Sequence, residues 1–293
     1  MGSIASCTAV TFSNPLEVVK TRLQLQGELQ KQGFYVKSYN GMFHGMYMIW
    51  KNEGIRGIQK GLFLAYPYTI TMNGTRLGLY ATVKSKVAKV LGMDVNSMPV
   101  GMLSGAIAGT VGTFFANPFY VTKTRIQSQS AALPVGHQHQ YASSWQALLG
   151  VYRESGIKGY ATGLQAATNR IIVASAVQLS TYDKVKSHLI SDFGMKNGFP
   201  AFVVASLFSG IFLTLSLNPF DVILTRLQNQ PLENGKGKFY NGWIDCFIKI
   251  LKTEGFNGFY KGTLPNYTRL APHTIILLSV FEKVKQLYDK YIH

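Results

Sequence analysis

PLEVVKTRLQ, at residues 15–24, recurs as PFYVTKTRIQ at 118–127 and as PFDVILTRLQ at 219–228. The copies begin 103 and 101 residues apart, and a second motif, EGIRGIQKG in its first form, follows each of them. Two ordered motifs that recur three times at nearly constant spacing indicate a tandem repeat. The chain therefore divides into three repeats. Their predicted bounds are 1–91, 92–194 and 195–293.

Long uncharged runs, from Val95 to Thr122 and from Asn197 to Phe220, lead into the second and third copies. Either run is long enough to cross about 30 Å of hydrocarbon at about 1.5 Å per residue. Because only 14 residues precede Pro15, either the first span is short or the chain lacks a few N-terminal residues. Three more apolar stretches follow the second motif in each repeat. They lie at 62–83, 164–182 and 263–281.

A polar, amphipathic segment lies between the two motifs of each repeat, near 42–53, 143–155 and 242–254. Such segments are typical of short helices at a membrane surface. The pattern predicts an all-α membrane protein with six transmembrane helices. We expect them to form three pseudo-symmetric repeats around a central cavity, with three short surface helices.

The composition favours helices that surround a polar pathway. Charged residues make up 14% of the 293 residues, below the roughly 25% of soluble domains, yet mean hydropathy is only +0.09. The net charge of +16 fits an anionic substrate or anionic lipid. Nucleic acid also fits the charge, but not the uncharged runs, so we expect no nucleic-acid partner.

Chemistry-bearing patterns point away from an enzyme. Cys7 and Cys246 cannot form a disulfide framework, and no close His/Cys cluster predicts a metal site. No acid–base pair or nucleophile arrangement emerges, so we expect no catalytic residue and no cofactor. The N-terminus has no basic segment with a cleavage site, so we expect no signal or transit peptide.

The first motif places an acid slot, a base slot and a glutamine on one helical face, two, five and nine residues after its proline. An acid on one helix and a base on the next would form a breakable plug at one end of the cavity. The proline would kink each helix toward the axis. The nine positions are Glu17, Lys20, Gln24, Tyr120, Lys123, Gln127, Asp221, Leu224 and Gln228.

A second ring is predicted at the opposite end of the cavity, where an aromatic residue, usually an acid, and a lysine recur. Two rings on one cavity are what alternating access requires. Ala81 replaces one acid, which leaves this ring one acid short. Its members are Tyr80, Lys84, Tyr182, Asp183, Lys186, Phe281, Glu282 and Lys285.

These motifs, together with MNGTRLGLY at 72–80, RIIVASAVQL at 170–179 and RLAPHTI at 269–275, resemble the mitochondrial carrier family. The details resemble its oxaloacetate-carrier branch. The resemblance covers essentially the whole chain. It implies a monomeric carrier of the mitochondrial inner membrane that opens alternately to the cytoplasm and the matrix, with its surface helices on the matrix side.

The family's pairing order implies a matrix gate with Glu17 paired to Lys123 and Asp221 paired to Lys20. The glutamines would brace these pairs from below. Tyr120 and Leu224 occupy the slots of the third pair, so both of its partners are missing. No orphaned charge is left, which supports the ring model, since an unpaired charge in a partly dry site is costly.

Substrate positions follow from the register of the second motif. Seven residues after its closing glycine come Tyr68, Arg170 and Arg269, which resemble the family's contact points. Eight residues further lie Arg76 and Gln178. Ile171 and Asn73 are their neighbours. Three arginines in one confined space favour a small multivalent anion, because each can bind a carboxylate or sulfate through paired hydrogen bonds.

Repeated glycines carry the lipid prediction. The resemblance implies that cardiolipin phosphates bind at the starts of the surface helices and at the second motif. In the second repeat Ser143 replaces glycine and Ala161-Thr162 replaces aromatic-lysine, so that copy is the weakest match. The predicted lipid positions are Gly41, Gly61, Gly163, Gly242 and Gly262.

The leading functional hypothesis is exchange of a small anion, either a dicarboxylate or oxoacid such as oxaloacetate, or sulfate. One alternative is a proton or anion leak of the uncoupling type. Another is a scaffold of the same fold that has lost transport. The sequence alone leaves these open.

Overall fold

The computed structural model describes residues 2–31, 35–192, 199–233 and 235–292, with some side chains inside these ranges left undescribed. Six long helices dominate the described chain, and three shorter ones connect them in pairs. The long helices are α1 (Gly2–Leu25), α3 (Leu62–Leu91), α4 (Met98–Ser128), α6 (Leu164–Ser191), α7 (Phe199–Asn229) and α9 (Thr263–Ile292). The shorter ones are α2 (Met42–Ile58), α5 (Ser144–Tyr160) and α8 (Trp243–Glu254), followed by a 3₁₀ turn at Phe256–Tyr260.

The long helices form a closed ring in which α1, α3, α4, α6, α7 and α9 each pack on the next, and α9 returns to α1. In addition, α1, α4 and α7 contact one another directly. These are the helices that carry the repeated proline, at Pro15, Pro118 and Pro219. Their C-terminal halves therefore converge at one end of the ring. The all-helical architecture agrees with the sequence prediction. A hairpin of two short strands, β1 (Leu232–Glu233) and β2 (Lys236–Gly237), is a local exception.

Two of the helices, Met98–Ser128 and Val204–Asn229, are long and apolar enough to cross a membrane by length and composition alone. Both expose large apolar side chains, among them Phe114, Phe115 and Phe212. Contiguous exposed apolar surface marks a face that another apolar phase covers. The first helix has 24 described residues against 31 for α4 and α7.

Each repeated proline follows an asparagine, which ties its helix to the second motif of the same repeat. Asn218 donates to the carbonyl oxygens of Phe259 and Lys261, at 2.8 and 3.2 Å. Asn117 donates in the same way to the carbonyls of Tyr160 and Thr162. The first copy differs slightly, since Asn14 donates to the Gln59 side chain and the Lys60 carbonyl.

The glycines of the second motif are required by backbone geometry. Its first glycine has a positive φ in all three repeats, 63° at Gly54, 60° at Gly156 and 71° at Gly255, and ends regular helix there. Its closing glycine also has a positive φ, 75° at Gly262. A Cβ at Gly262 would lie 3.1 Å from both the Gln24 side chain and the Lys20 carbonyl. Glycine thus allows the repeats to approach closely.

A cluster of buried side chains joins α8 to α7 below the ring. Cys246, Ile250 and Val222 are fully buried in it, and Tyr240 and Phe259 nearly so. The burial of Cys246 raises the pKa of its thiol. Packing of this kind fixes the short helix against the end at which α1, α4 and α7 converge.

Candidate functional site

Two ion pairs close the converging ends of α1, α4 and α7. Lys123 Nζ lies 2.7 Å from Glu17 Oε1, and Lys20 Nζ lies 2.9 Å from Asp221 Oδ2. The first pair joins repeats 1 and 2, and the second joins repeats 3 and 1. We call Glu17, Lys20, Lys123 and Asp221 the floor.

At the third joint of the floor, between repeats 2 and 3, the two slots of the first motif hold the uncharged residues Tyr120 and Leu224. Tyr120 packs against the buried cluster that includes Leu224, and both line a small pocket with Arg170. Tyr120 also stacks on Tyr68, with ring centroids 4.9 Å apart, and the Lys123 ammonium lies 5.4 Å from the Tyr68 ring centroid. Aromatic packing therefore occupies the place where the other joints hold an ion pair.

Two predicted substrate arginines reach this floor. Arg170 donates from Nε to Asp221 Oδ1, a contact that the sequence did not predict. Arg269 lies close enough to Glu17 and Lys20 for their charges to interact. Its Nε is buried and has no hydrogen-bond partner within the part of the chain that the structure describes.

The other predicted substrate residues lie further out or face neighbouring helices. Arg76 and Gln178 are exposed, about 12 Å along their helices from Tyr68 and Arg170. Asn73 donates to Ser6 on α1 at 3.1 Å, and Ile171 packs on α4, where a Cβ at Gly109 would lie 2.6 Å from it. The three arginines therefore do not lie at one level along their helices: Arg170 and Arg269 lie near the floor, and Arg76 lies apart.

The glutamines at the ends of the first motif lie one turn below the ion pairs, and their role in bracing those pairs stays a prediction. Each accepts a hydrogen bond from a threonine of another repeat because the helices cross one turn below the ion pairs. The bonds are Thr21 to Gln127 at 3.1 Å, Thr124 to Gln228 at 3.0 Å and Thr225 to Gln24 at 2.7 Å.

A ring of buried arginines, which sequence reasoning missed, joins the repeats below the floor. Arg22, Arg125 and Arg226 are fully buried. Each donates from Nε to the backbone carbonyl of the glutamine in the next repeat, and each pairs with a glutamate of its own second motif. The glutamates are Glu53, Glu154 and Glu254. The signal was visible, because Thr-Arg recurs two residues before every glutamine of the motif.

The three arginine–glutamate joints differ in burial. Glu254 is 2% exposed and also binds Lys261, whereas Glu154 is 36% exposed. Glu154 stands one residue earlier in the second motif than its equivalents, and Thr162 replaces the lysine. Burial alone would raise the pKa of Glu53, but hydrogen bonds from Arg22 and Lys60 outweigh it and lower that pKa to about 2.

A loop from repeat 2 lies across the closed end. Ser130 donates to Glu53 at 2.7 Å, the Tyr39 hydroxyl donates to the Leu133 carbonyl, and His139 Nε2 lies 2.8 Å from the Asn229 carbonyl oxygen. Burial, helped by the charge of Arg125, lowers the pKa of His139 to about 3, so its ring is neutral at physiological pH. The loop thus contacts repeats 1 and 3 in addition to its own.

Half of the second predicted ring lies outside the described side chains, namely Tyr182, Asp183, Glu282 and Lys285. Of its described members, Lys84 donates to Asn96 at 3.3 Å, while Tyr80 and Lys186 are half-buried and Phe281 is exposed.

Two predicted lipid positions, Gly41 and Gly262, line one cavity of about 420 Å³ at the surface. Lys37 and Lys261 line it as well, so it can attract an anionic headgroup. In the second repeat Ser143 caps its own helix, since its hydroxyl accepts from the Gln146 amide at 3.1 Å. That helix start is therefore already partly satisfied.

Comparison with known proteins identifies the family. The model described as mitochondrial carrier protein matches residues 1–90, 94–193 and 196–291. The chain belongs to the mitochondrial carrier family. This carrier is thus a transporter and a multi-pass protein of the mitochondrial inner membrane.

Relatives resemble the carrier over nearly its whole length. A mitochondrial oxaloacetate transport protein of Saccharomyces cerevisiae is 40% identical over 291 residues, covering 98% of this chain and 88% of the relative. Solute carrier family 25 member 35 of Mus musculus is 38% identical and covers 99% and 98%. Mitochondrial citrate transporter E of Aspergillus niger is 38% identical and covers 99% and 94%.

Proposed function

We propose that this carrier exchanges a small divalent anion, a dicarboxylate or oxoacid such as oxaloacetate, by alternating access. In this proposal all six long helices cross the membrane, and the floor is the closed gate on the matrix side. The second ring, near Lys84 and Lys186, would close the cytoplasmic side. A monomer suffices, since the ring of helices closes within one chain.

The balance of charge at the floor carries this proposal. Lys20, Lys123, Arg170 and Arg269 supply four positive charges, and Glu17 and Asp221 supply two negative ones. Two positive charges remain, and the buried Nε of Arg269 has an unused N–H among the described residues. A dianion would match this excess, and guanidinium groups bind carboxylates and sulfate through paired hydrogen bonds.

The relatives support the same substrate class. Two of them are named as transporters of oxaloacetate and of citrate, both small carboxylates. The exposed Arg76 adds one more positive charge farther out on α3. A trianion such as citrate is therefore the second candidate, with its extra carboxylate near Arg76.

We also propose that cardiolipin binds at the surface cavity between Gly41 and Gly262. By repeat symmetry, Gly61, Gly163 and Gly242 would contribute to the equivalent sites. The second copy would bind most weakly, because Ser143 already satisfies one amide of its helix.

The test is uptake of labelled malonate, oxaloacetate, citrate or sulfate into liposomes that hold the unlabelled anion. We expect exchange by the native protein and its loss in Arg170→Ala and in Arg269→Ala. Arg153→Ala is the matched control, because Arg153 is exposed on α5 and should be dispensable. Exchange by both cavity variants at the native rate would contradict the site assignment.

The same liposomes separate the alternatives. An anion exchanger takes up label only when counter-anion is inside. Uptake or current without internal anion would instead show a leak. Absence of any flux, with correctly folded protein, would favour a scaffold.

A further inference from the structure

Asp221 holds three donors from three different helices. Lys20 on α1 lies 2.9 Å from Oδ2, Asn266 on α9 donates to Oδ2 at 2.8 Å, and Arg170 on α6 donates to Oδ1. The side chain is 1% exposed, so these bonds replace all of its contacts with water. Asp221 is therefore a member of the floor and also a ligand of a substrate arginine.

The contact between Arg170 and Asp221 joins repeats 2 and 3. This is the joint whose usual slots hold Tyr120 and Leu224 and so cannot form an ion pair. The carrier thus has an ionic link at all three joints of the floor. The third link, however, takes its base from the substrate site and not from the first motif.

We propose that, before the substrate arrives, Asp221 binds the guanidinium of Arg170 at the place where the substrate anion binds. The arriving anion then breaks this link by binding Arg170 itself. The inference rests on the proposed function, in which Arg170 binds the anion. One carboxylate replaces another on the guanidinium, so the exchange leaves Arg170 paired throughout. Asp221 keeps Lys20 and Asn266, so it is not left as an unpaired buried charge.

The consequence is a direct coupling between cargo and gate. Binding removes the ionic link between repeats 2 and 3 and leaves only the apolar contact around Tyr120. The link between Glu17 and Lys123 is not affected, because Glu17 pairs with a lysine of the gate itself. Cargo would therefore loosen the floor first between α6 and α7.

The experiment measures binding of malonate and of sulfate to the full-length carrier in detergent, by calorimetric titration, together with liposome exchange. In Asp221→Asn we expect about fivefold or greater tightening, because Arg170 is released from its internal competitor. Exchange should slow, because cargo no longer changes the gate. Glu17→Gln is the matched control, since it removes the same charge from the floor without releasing Arg170.

Two further variants fix the interpretation. Asn266→Ala removes a spare donor, so Asp221 depends more on Arg170, and anion binding should weaken. In the double variant Arg170→Gln with Asp221→Asn, the tightening should vanish. Thermal unfolding of each variant shows whether it is folded.

The outcomes separate this inference from the function on which it rests. Equal affinities of Asp221→Asn and Glu17→Gln in a carrier that binds and exchanges these anions would overturn the inference alone. A native protein without saturable binding of malonate or sulfate would overturn both.

Discussion

At the scale of single residues, the closed end of the molecule contains a buried glutamate, Glu28, whose pKa is raised. Glu28 lies just past the end of α1 and accepts a hydrogen bond from the Tyr240 hydroxyl at 3.1 Å. Burial and the charge of Glu254 raise its pKa, while Arg226 and Lys261 oppose them, and the result is a pKa of about 7 against an ordinary 4.5.

This shift predicts a pH dependence of stability. Between pH 4.5 and 7 the folded state keeps a proton that the unfolded state loses, so stability falls as pH rises through that range and stays low above it. Glu28→Gln should therefore raise the free energy of unfolding at pH 8 by about 1–2 kcal/mol and change it little at pH 4.5. Thermal unfolding in detergent across this pH range checks it. A native-like pH profile in the variant would contradict the assignment to Glu28.

Which residues could be found from the sequence depended on whether their signal was a repeated spacing. Glu17 and Lys123 are brought together as the family's pairing order implies, because register along three similar helices fixes their level. The contact of Arg170 with Asp221 could not be predicted from the sequence. It depends on how far the arginine side chain extends past the slots that hold Tyr120 and Leu224, and neither motif encodes that distance.

At the scale of the elements, the closing glycine of the second motif sets how closely one repeat packs on another. Gly262→Ala would put a methyl group 3.1 Å from the Lys20 carbonyl at a φ of 75°. We expect a loss of about 1–3 kcal/mol in the free energy of unfolding, from backbone strain and crowding together. The measurement is thermal unfolding of the purified variant in detergent.

Gly78→Ala provides the control for this prediction. Gly78 lies inside α3 with open space around its Cα, so alanine should be neutral or slightly stabilising there. If both variants unfolded at the same temperature, close packing at Gly262 would not be the reason for the glycine.

The positions of the helices were predictable in outline, but their ends were not. Uncharged runs and repeat spacing predicted α4 and α7 well, because length and apolarity decide whether a segment stays helical in an apolar phase. The amphipathic segments predicted near 42–53 and 143–155 extend further, to Ile58 and Tyr160. A glycine with positive φ, Gly54 or Gly156, ends the regular helix, and a further short helical stretch follows it, which composition does not reveal.

At the scale of the whole molecule, the three arginine–glutamate pairs below the floor differ in burial. Glu254→Gln should be costly, about 3 kcal/mol in the free energy of unfolding, because it leaves the fully buried Arg226 without its carboxylate. Glu154→Gln should cost less, about 1–2 kcal/mol, because the 36% exposed Glu154 is already partly screened by water, although Arg125 is as buried as Arg226. Thermal or denaturant unfolding of the two variants side by side gives the comparison. Equal losses would mean that burial does not distinguish the joints.

The buried thiol of Cys246 can report when α8 separates from α7. While α8 stays seated on α7 a maleimide dye has no route to the sulfur, and its raised pKa keeps it protonated. In a Cys7→Ser background, which leaves a single thiol, the rate of dye attachment would therefore measure how often α8 separates from α7. We expect attachment to be slow in the folded carrier and to become rapid only near its unfolding temperature. The rate of attachment therefore reports local unfolding without an added cysteine.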